Sequence, residues 1–347
     1  MLQRLEIQMQ NCRERCTIMT VNHTAKKIAG KGISALRYAK NKGFVFKLIS
    51  NIFLITVSFV FIYPFLYMIS TSVKSYYDLF DKSVNWIAHE FTFSNYVTAF
   101  KFMDYPRHAT ISLAVTVLAV ALHLAFDSFI AYGLARYKFP GRSFLTVIMV
   151  LSIMIPMQVV IIPQYLEFYF LGWKNTYLPI IIPIIFGFGL KSGLFIFIFR
   201  QFFLGLPKSL EEAAKIDGCS FIKTFFLIVV PTARTSMLVC GVMAMVWHWN
   251  DYFAPSIYLD LDESWPLPSM LPALNTQYES MFVAGTGAGN TPLNDLKNLE
   301  LAQNLDSIVT EATVAAGIFL VVLPIILVYI FLQKQFVQGI ERTGIVE

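Results

Sequence analysis

Apolar residues along this chain gather into six runs, at about 47–70, 109–135, 143–165, 177–203, 230–258 and 308–333. An α-helix needs about 20 residues to cross a bilayer. The pattern therefore predicts an all-α, polytopic membrane protein with six transmembrane helices. Between the fourth and fifth runs lies the longest ordered-looking polar interruption, Leu206 to Pro231 (LPKSLEEAAKIDGCSFIKTFFLIVVP). Pro207 stops the preceding helix, and Ser209 followed three residues later by Glu212 has the spacing of a capping box. Glu211, Glu212, Ala213, Ala214 and Lys215 favour helix, and Gly218 is a natural place for it to end. The stretch reads as a short helix, a glycine turn, and a second helix from about Phe221 that climbs into the apolar run at Pro231. A short helix lying between two membrane segments is well placed to be gripped by another protein.

Composition agrees with the pattern. Of 347 residues 56% are hydrophobic and 14% charged, and the mean hydropathy is +0.60; a soluble domain carries about 25% charged residues. The net charge of +5 matters less than its distribution. Residues 1–47 hold ten Lys/Arg against two Glu. Beside the first membrane segment this is the positive-inside signal rather than a nucleic-acid arm. Arg136, Lys138 and Arg142 in the turn between runs two and three carry the same signal. On the other side, residues 259–307 carry Asp260, Asp262, Glu263, Glu279, Asp295, Glu300 and Asp306 against a single Lys297. Both termini are thus expected in the cytoplasm and the acidic loop outside. The expected domains are a basic tail at 1–46, a six-helix body at 47–335 with an enlarged external loop at 259–307, and a C-terminal tail at 336–347. No cleavable signal peptide is expected, because the N-terminus is polar for over forty residues.

The chemistry-bearing motifs are mostly absent. No Walker-type Gly-x4-Gly-Lys-Ser/Thr stretch, nucleophile elbow or H-E-x-x-H spacing occurs. Neither a catalytic residue nor a metal site is expected, and Cys12, Cys16, Cys219 and Cys240 suggest plain reduced thiols. The GTGAGN stretch at 285–290 lacks the Lys-Ser/Thr ending of a phosphate cradle and reads as an external turn. Transport or signalling without covalent chemistry is the favoured class. Ionisable residues inside membrane runs usually face a bundle interior or a pathway. His123 and Asp127, four residues apart, can pair with each other or with a neighbouring helix, and Lys191 can bridge helices or line a cavity. Trp247, Trp249, Asn250, Asp251 and Tyr252 in VWHWNDYFAP combine flat aromatic faces with amide and carboxylate groups. That set suits a sugar, with its apolar C–H faces and hydroxyl rims, and it equally suits an interfacial aromatic belt.

Glu212-Ala213-Ala214, three residues, Gly218, nine residues, then Ile228-Val229-Val230-Pro231 resembles the EAA signature of binding-protein-dependent ABC importer permeases. Val230 departs conservatively from the usual Ile-x-Leu-Pro ending. LPKSLEEAAKIDG (206–218) looks like the carbohydrate branch, in particular its MalG-like subunit. AYGLARYKFPGR (131–142), MIPMQVVIIPQY (154–165), LGWKNTY (171–177), FRQFFLGLP (199–207), WHWNDYF (247–253) and FLQKQFVQGI (331–340) concur, so the likeness spans roughly residues 50–340. The resemblance implies a bacterial inner-membrane, multi-pass subunit that forms half of a translocation pathway for a carbohydrate, most simply an oligosaccharide. It implies as partners a second, different permease subunit, two ATPase subunits, an extracytoplasmic solute-binding protein and membrane lipid, with no nucleic acid. This chain would bind no cofactor, ATP and Mg residing on the ATPase subunits. Glu211, Glu212, Ala213, Ala214, Asp217 and Gly218 would form a cytoplasmic coupling helix seated on one ATPase. Trp247, Trp249, Asn250, Asp251 and Tyr252 would lie along the translocation path. The rivals are an ABC permease for a polyamine or amino acid, and a secondary transporter, which the absence of repeat symmetry disfavours.

Overall fold

The structure, a computed structural model, describes residues 44–81, 83–84, 86–260, 262–283 and 309–344. Residues 1–43 of the basic tail with Cys12 and Cys16, and the GTGAGN stretch with Asp295, Lys297, Glu300 and Asp306, lie outside the described residues. Contacts divide the chain into two units, Met1–Leu66 and Tyr67–Glu347. Helix α1 (Phe44–Ser72) runs across that boundary and is the only element of the first unit among the described residues. Every regular element among the described residues of the second unit is helical, apart from one isolated antiparallel bridge, Lys74 to Phe91.

After the short helices α2 (Tyr76–Phe80) and α3 (Ser94–Phe102) comes α4, Tyr105–Arg136, the longest helix wholly within the second unit apart from the last. α5 (Arg142–Met154) and α6 (Met157–Phe170) follow, then α7 (Leu178–Ile185) and α8 (Ser192–Gly205). α9 (Ser209–Ile216), α10 (Phe221–Thr232) and α11 (Arg234–Trp249) carry the chain to α12 (Phe253–Tyr258). α13 (Met270–Val283) and α14 (Glu311–Gly344) close it. α1, α4 and α14 are individually long and apolar enough to cross a membrane. Three bent pairs, α5/α6, α8/α9 and α10/α11, reach that length only together.

The bends have local causes. α5 and α6 meet at 107° across Ile155–Pro156. A proline pushes the residue before it out of helical geometry, and Ile155 is extended at ψ 116. α8 and α9 meet at 78°, with Leu206 extended before Pro207 in the same way. The predicted fourth run is two helices rather than one. Its backbone leaves the helix between Phe186 and Lys191, where Gly187 (φ 77) and Lys191 (φ 62) adopt left-handed geometry. The predicted fifth run begins earlier than its hydropathy suggests, at Phe221, and bends by 81° into α11. Pro231 offers no N–H to the preceding turn, and that turn, Phe225–Val229, widens to a π-helix.

Large apolar side chains are displayed on the outside as well as packed within. Phe144 is 68% and Phe170 83% exposed, whereas His123, Asp127, Ser128, Ser192 and Thr313 are fully buried. An apolar exterior with polar groups turned to the interior suits a bundle in lipid. One core gathers Tyr132, Phe195, Phe199, Phe203, Phe225 and Val229, joining α4, α8 and α10. A second gathers Met103, Trp249, Leu267, Leu274 and Ala316, joining α11 and α14 to the segment around α13. The start of the acidic segment is ordered against α4: Arg107 pairs with Glu263 at 3.0 Å, and Ser112 Oγ accepts from the Leu267 amide at 2.6 Å.

Pro324 bends the logic of α14. It has no N–H for the Leu320 carbonyl four residues back, and Tyr105 donates its hydroxyl to that oxygen at 3.2 Å. The next carbonyl, Val321, accepts Trp249 Nε1 at 2.9 Å. Trp249→Phe keeps an aromatic side chain but removes the donor and part of the indole's volume, leaving a buried carbonyl short of a partner. The expected cost is about 1–3 kcal/mol, read as a lower melting temperature of the purified membrane protein with uptake per folded molecule unchanged. A loss of uptake without loss of stability would instead make Trp249 a substrate contact.

Candidate functional site

The Leu206–Pro231 stretch folds as an elbow of two helices around a glycine. Lys208 already has helical geometry (φ −65, ψ −26) and serves as the N-cap, so Ser209 is the first helical residue and makes no side-chain cap bond. The expected Ser209–Glu212 capping box is therefore not formed, because the helix starts one residue early. Glu211 and Glu212 still sit in the first turn and Lys215 in the last, each favourable to the helix dipole. The end of α9 is a Schellman motif. Cys219 N donates to Ala214 O at 2.9 Å and Gly218 N to Lys215 O at 3.1 Å, with Gly218 at φ 75. Serine capping appears one helix later, where Ser220 Oγ accepts from Lys223 N at 3.4 Å at the start of α10.

The elbow is held from behind at both arms. On α9, Arg136 Nε approaches Glu211 Oε1 to 2.7 Å, the side chains only 6% and 13% exposed. The N–H does not point at the oxygen, so charge rather than a directed hydrogen bond holds this contact. Arg136 Nη2 also donates to Leu206 O at 2.6 Å, so one guanidinium ties both ends of the bend to the end of α4. On α10, Phe221 stacks on Tyr132 (5.2 Å, 12°) and meets Tyr137 edge-on at 4.9 Å. Burial, and then the charge of Glu211, push the Tyr137 phenol above its ordinary range.

The helix divides its residues by face. Glu211 and Ala214, three apart, point inward, and Ala214 is 3% exposed. Glu212, Ala213 and Ile216, spaced to share the opposite face, point outward with Lys215, Asp217 and Gly218. Ile216 is 86% exposed. The two adjacent glutamates thus have different jobs, one anchoring and one displayed. Arg136 and Ile216 are the residues the signature does not reveal; Arg136 lies 75 positions before its partner.

A buried polar cluster lies deeper. His123 Nδ1 is 2.7 Å from Asp127 Oδ2, the pairing their spacing allows, and His123 Nε2 is 2.9 Å from His248 Nε2. Ser192 Oγ comes within 3.4 Å of His123 Nδ1. Two facing imidazole nitrogens need one donor and one acceptor, so the rings hold complementary tautomers across α4 and α11. His123–Asp127 forms a π-turn within α4, which aims both side chains at the same neighbours.

Residues 127–342, well over half the chain, match the family described as binding-protein-dependent transport system inner membrane component. The chain belongs to this family. The permease is similar to Protein LplC of Bacillus subtilis (strain 168), 32% identical over 302 residues covering 86% of this chain and 93% of that protein. It is also similar to the arabinooligosaccharides transport system permease protein AraQ of Halalkalibacterium halodurans, 28% identical over 292 residues, 83% and 92% of the two chains. Its fold is similar to a chain in the crystal structure of a bacterial ABC transporter that imports the acidic polysaccharide alginate. That match has TM-score 0.66 and 23% identity, covering 84% of this chain and 96% of the other.

In the permease the five residues of VWHWNDYFAP do not converge on one surface. Trp249 is 6% exposed and bonded to α14. Asp251 Oδ1 caps α12, accepting from Phe253 N at 3.1 Å and Ala254 N at 3.2 Å. Asn250 turns back to Val246 O at 2.7 Å and Tyr252 stands 52% exposed. Trp247 lies half-buried against Phe195 at 5.7 Å, with Lys191 Nζ 5.4 Å from its ring centre.

Proposed function

We propose that this chain is one permease subunit of an ABC importer for an oligosaccharide and supplies half of the translocation pathway. The name of its similar arabinooligosaccharide permease and the carbohydrate-type elbow support the sugar reading. In this reading six spans cross the membrane, namely α1, α4, α5 with α6, α7 with α8, α10 with α11, and α14, with both termini and α9 on the cytoplasmic side. The partners are a second, different permease subunit, two ATPase subunits that bind ATP and Mg, and an extracytoplasmic binding protein. This chain holds no cofactor and catalyses no reaction. α9 is the coupling helix, with Glu212, Ala213, Ile216, Asp217 and Gly218 against an ATPase and Glu211 and Ala214 fastening it to the bundle. ATP must favour one arrangement of the ATPase pair over the other, and a rigid elbow passes that difference to the spans.

The observation that carries this reading is the elbow itself: an exposed helix with an 86% exposed isoleucine, fastened from behind by a buried ion pair and a ring stack. Gly218 tests it. Nothing lies within 4 Å of a Cβ added there, so a substitution acts through backbone geometry alone. At φ 75 a β-branched residue costs about 1–2 kcal/mol, whereas Asn tolerates the conformation. Gly218→Val is expected to lower uptake and substrate-stimulated ATPase activity about tenfold in the reconstituted complex, with Gly218→Asn close to the parent. Full activity of the valine variant would remove the elbow from the coupling path.

A further inference from the structure

We propose that Lys191 receives the carboxylate of an anionic sugar residue during passage, so that the oligosaccharide carried is an acidic one. This deepens the oligosaccharide reading and rests on it. Lys191 ends the non-helical stretch between α7 and α8. The next residue, Ser192, comes within 3.4 Å of His123, which lies near the middle of the 32-residue helix α4. The irregular backbone is therefore level with the middle of the longest span of the second unit's core. Backbone that leaves the helix at such depth must be covered by protein or line a water-filled path. Here Phe186 and Phe188 are each 68% exposed, and Lys191 is exposed beside them.

An ammonium at that depth faces a cavity or a partner rather than lipid. The nearby carboxylates of this chain are engaged elsewhere. Asp127 is turned to His123, and Asp251 to the amides that open α12. Among the described residues no carboxylate forms an ion pair with Lys191. Its ammonium lies instead over the Trp247 ring, 5.4 Å from the centre. A cation–π contact of this length is weaker than a charge-assisted hydrogen bond to a carboxylate. An arriving carboxylate would draw the flexible side chain off the indole. The uncovered aromatic face would then meet the apolar C–H face of the same sugar ring. A uronic acid residue carries both features on one ring, whereas a neutral sugar uses only the second and a small inorganic anion only the first.

The test uses the assembled transporter in liposomes with its binding protein, comparing a trigalacturonate with its methyl ester, which keeps the sugar and removes the charge. Binding of each sugar to the binding protein is measured separately and saturated. Lys191→Gln is expected to lower trigalacturonate uptake at least about tenfold, equivalent to about 1.4 kcal/mol, and to leave methyl-ester uptake unchanged. Lys191→Arg is expected to retain most of the trigalacturonate uptake. Equal loss of both sugars would overturn the proposal, showing that Lys191 pairs with an acidic residue of the second permease subunit or supports the fold. Unchanged uptake of both would overturn it as well, as would a parent transporter that carries the ester and not the acid. A parent that carries neither sugar, nor any neutral oligosaccharide, would instead remove the oligosaccharide reading beneath it.

Discussion

Ile216→Glu is expected to reduce uptake and substrate-stimulated ATPase activity about 100-fold while leaving the permease as stable as before. The side chain is 86% exposed at the end of α9, so its replacement disturbs no contact within this chain, and surface changes of that kind usually stay within about 0.5 kcal/mol of stability. A single exposed apolar residue is ordinary on any protein. Ile216 differs in its setting, because it shares its face with Glu212 and Ala213 on a helix whose other face is fastened by Glu211. Seating an isoleucine in a partner's cleft is worth about 1.5–3 kcal/mol, and a carboxylate in the same cleft adds a desolvation cost. About 2.7 kcal/mol corresponds to 100-fold in affinity. Co-purification of the ATPase subunits with the variant would report that loss directly, and normal recovery of the whole complex would show that α9 is not where they dock.

How much of this surface could be read from the chain depends on the range of the interactions. Pro207, Gly218 and the apolar climb from Phe221 are local signals, and the elbow they predict is present. The misplaced serine cap is a one-residue matter: Lys208 adopts helical geometry, which leaves the Ser209 hydroxyl inside the first turn. The breaks at Pro156 and around Gly187 were written in the residues too, but hydropathy averages over a window and hides them. Membership of a membrane permease family was legible from the motifs, and the match over residues 127–342 supports it. The directions taken by the five side chains expected along a translocation path were less legible. Helical spacing stops at Trp249, after which Asn250, Asp251 and Tyr252 turn to separate partners or to the surface. His248 joined to His123 and Arg136 joined to Glu211 are contacts between distant segments, and no local pattern reveals them.

Arg136 is where the largest change in stability is expected. Arg136→Ala leaves the Glu211 carboxylate, 13% exposed, without its cation, and takes the Nη2 donor from the Leu206 carbonyl. Removing one member of a buried ion pair typically costs about 3–5 kcal/mol, whereas replacing both members with apolar groups of similar size is often neutral. The expected pattern is therefore a steep loss of melting stability in Arg136→Ala, a smaller loss in Glu211→Gln, and partial recovery in the double variant Arg136→Met/Glu211→Met, which still lacks a donor for the Leu206 carbonyl. Function should follow a different order. The double variant regains part of the stability through packing, but it replaces a charge contact between α4 and the elbow with one that can slide. ATP hydrolysis should then continue at the parent's basal rate while uptake per ATP falls several-fold. If the double variant instead transports as well as the parent, the ion pair serves folding alone, and the Phe221 stack on Tyr132 must transmit the motion of the elbow by itself.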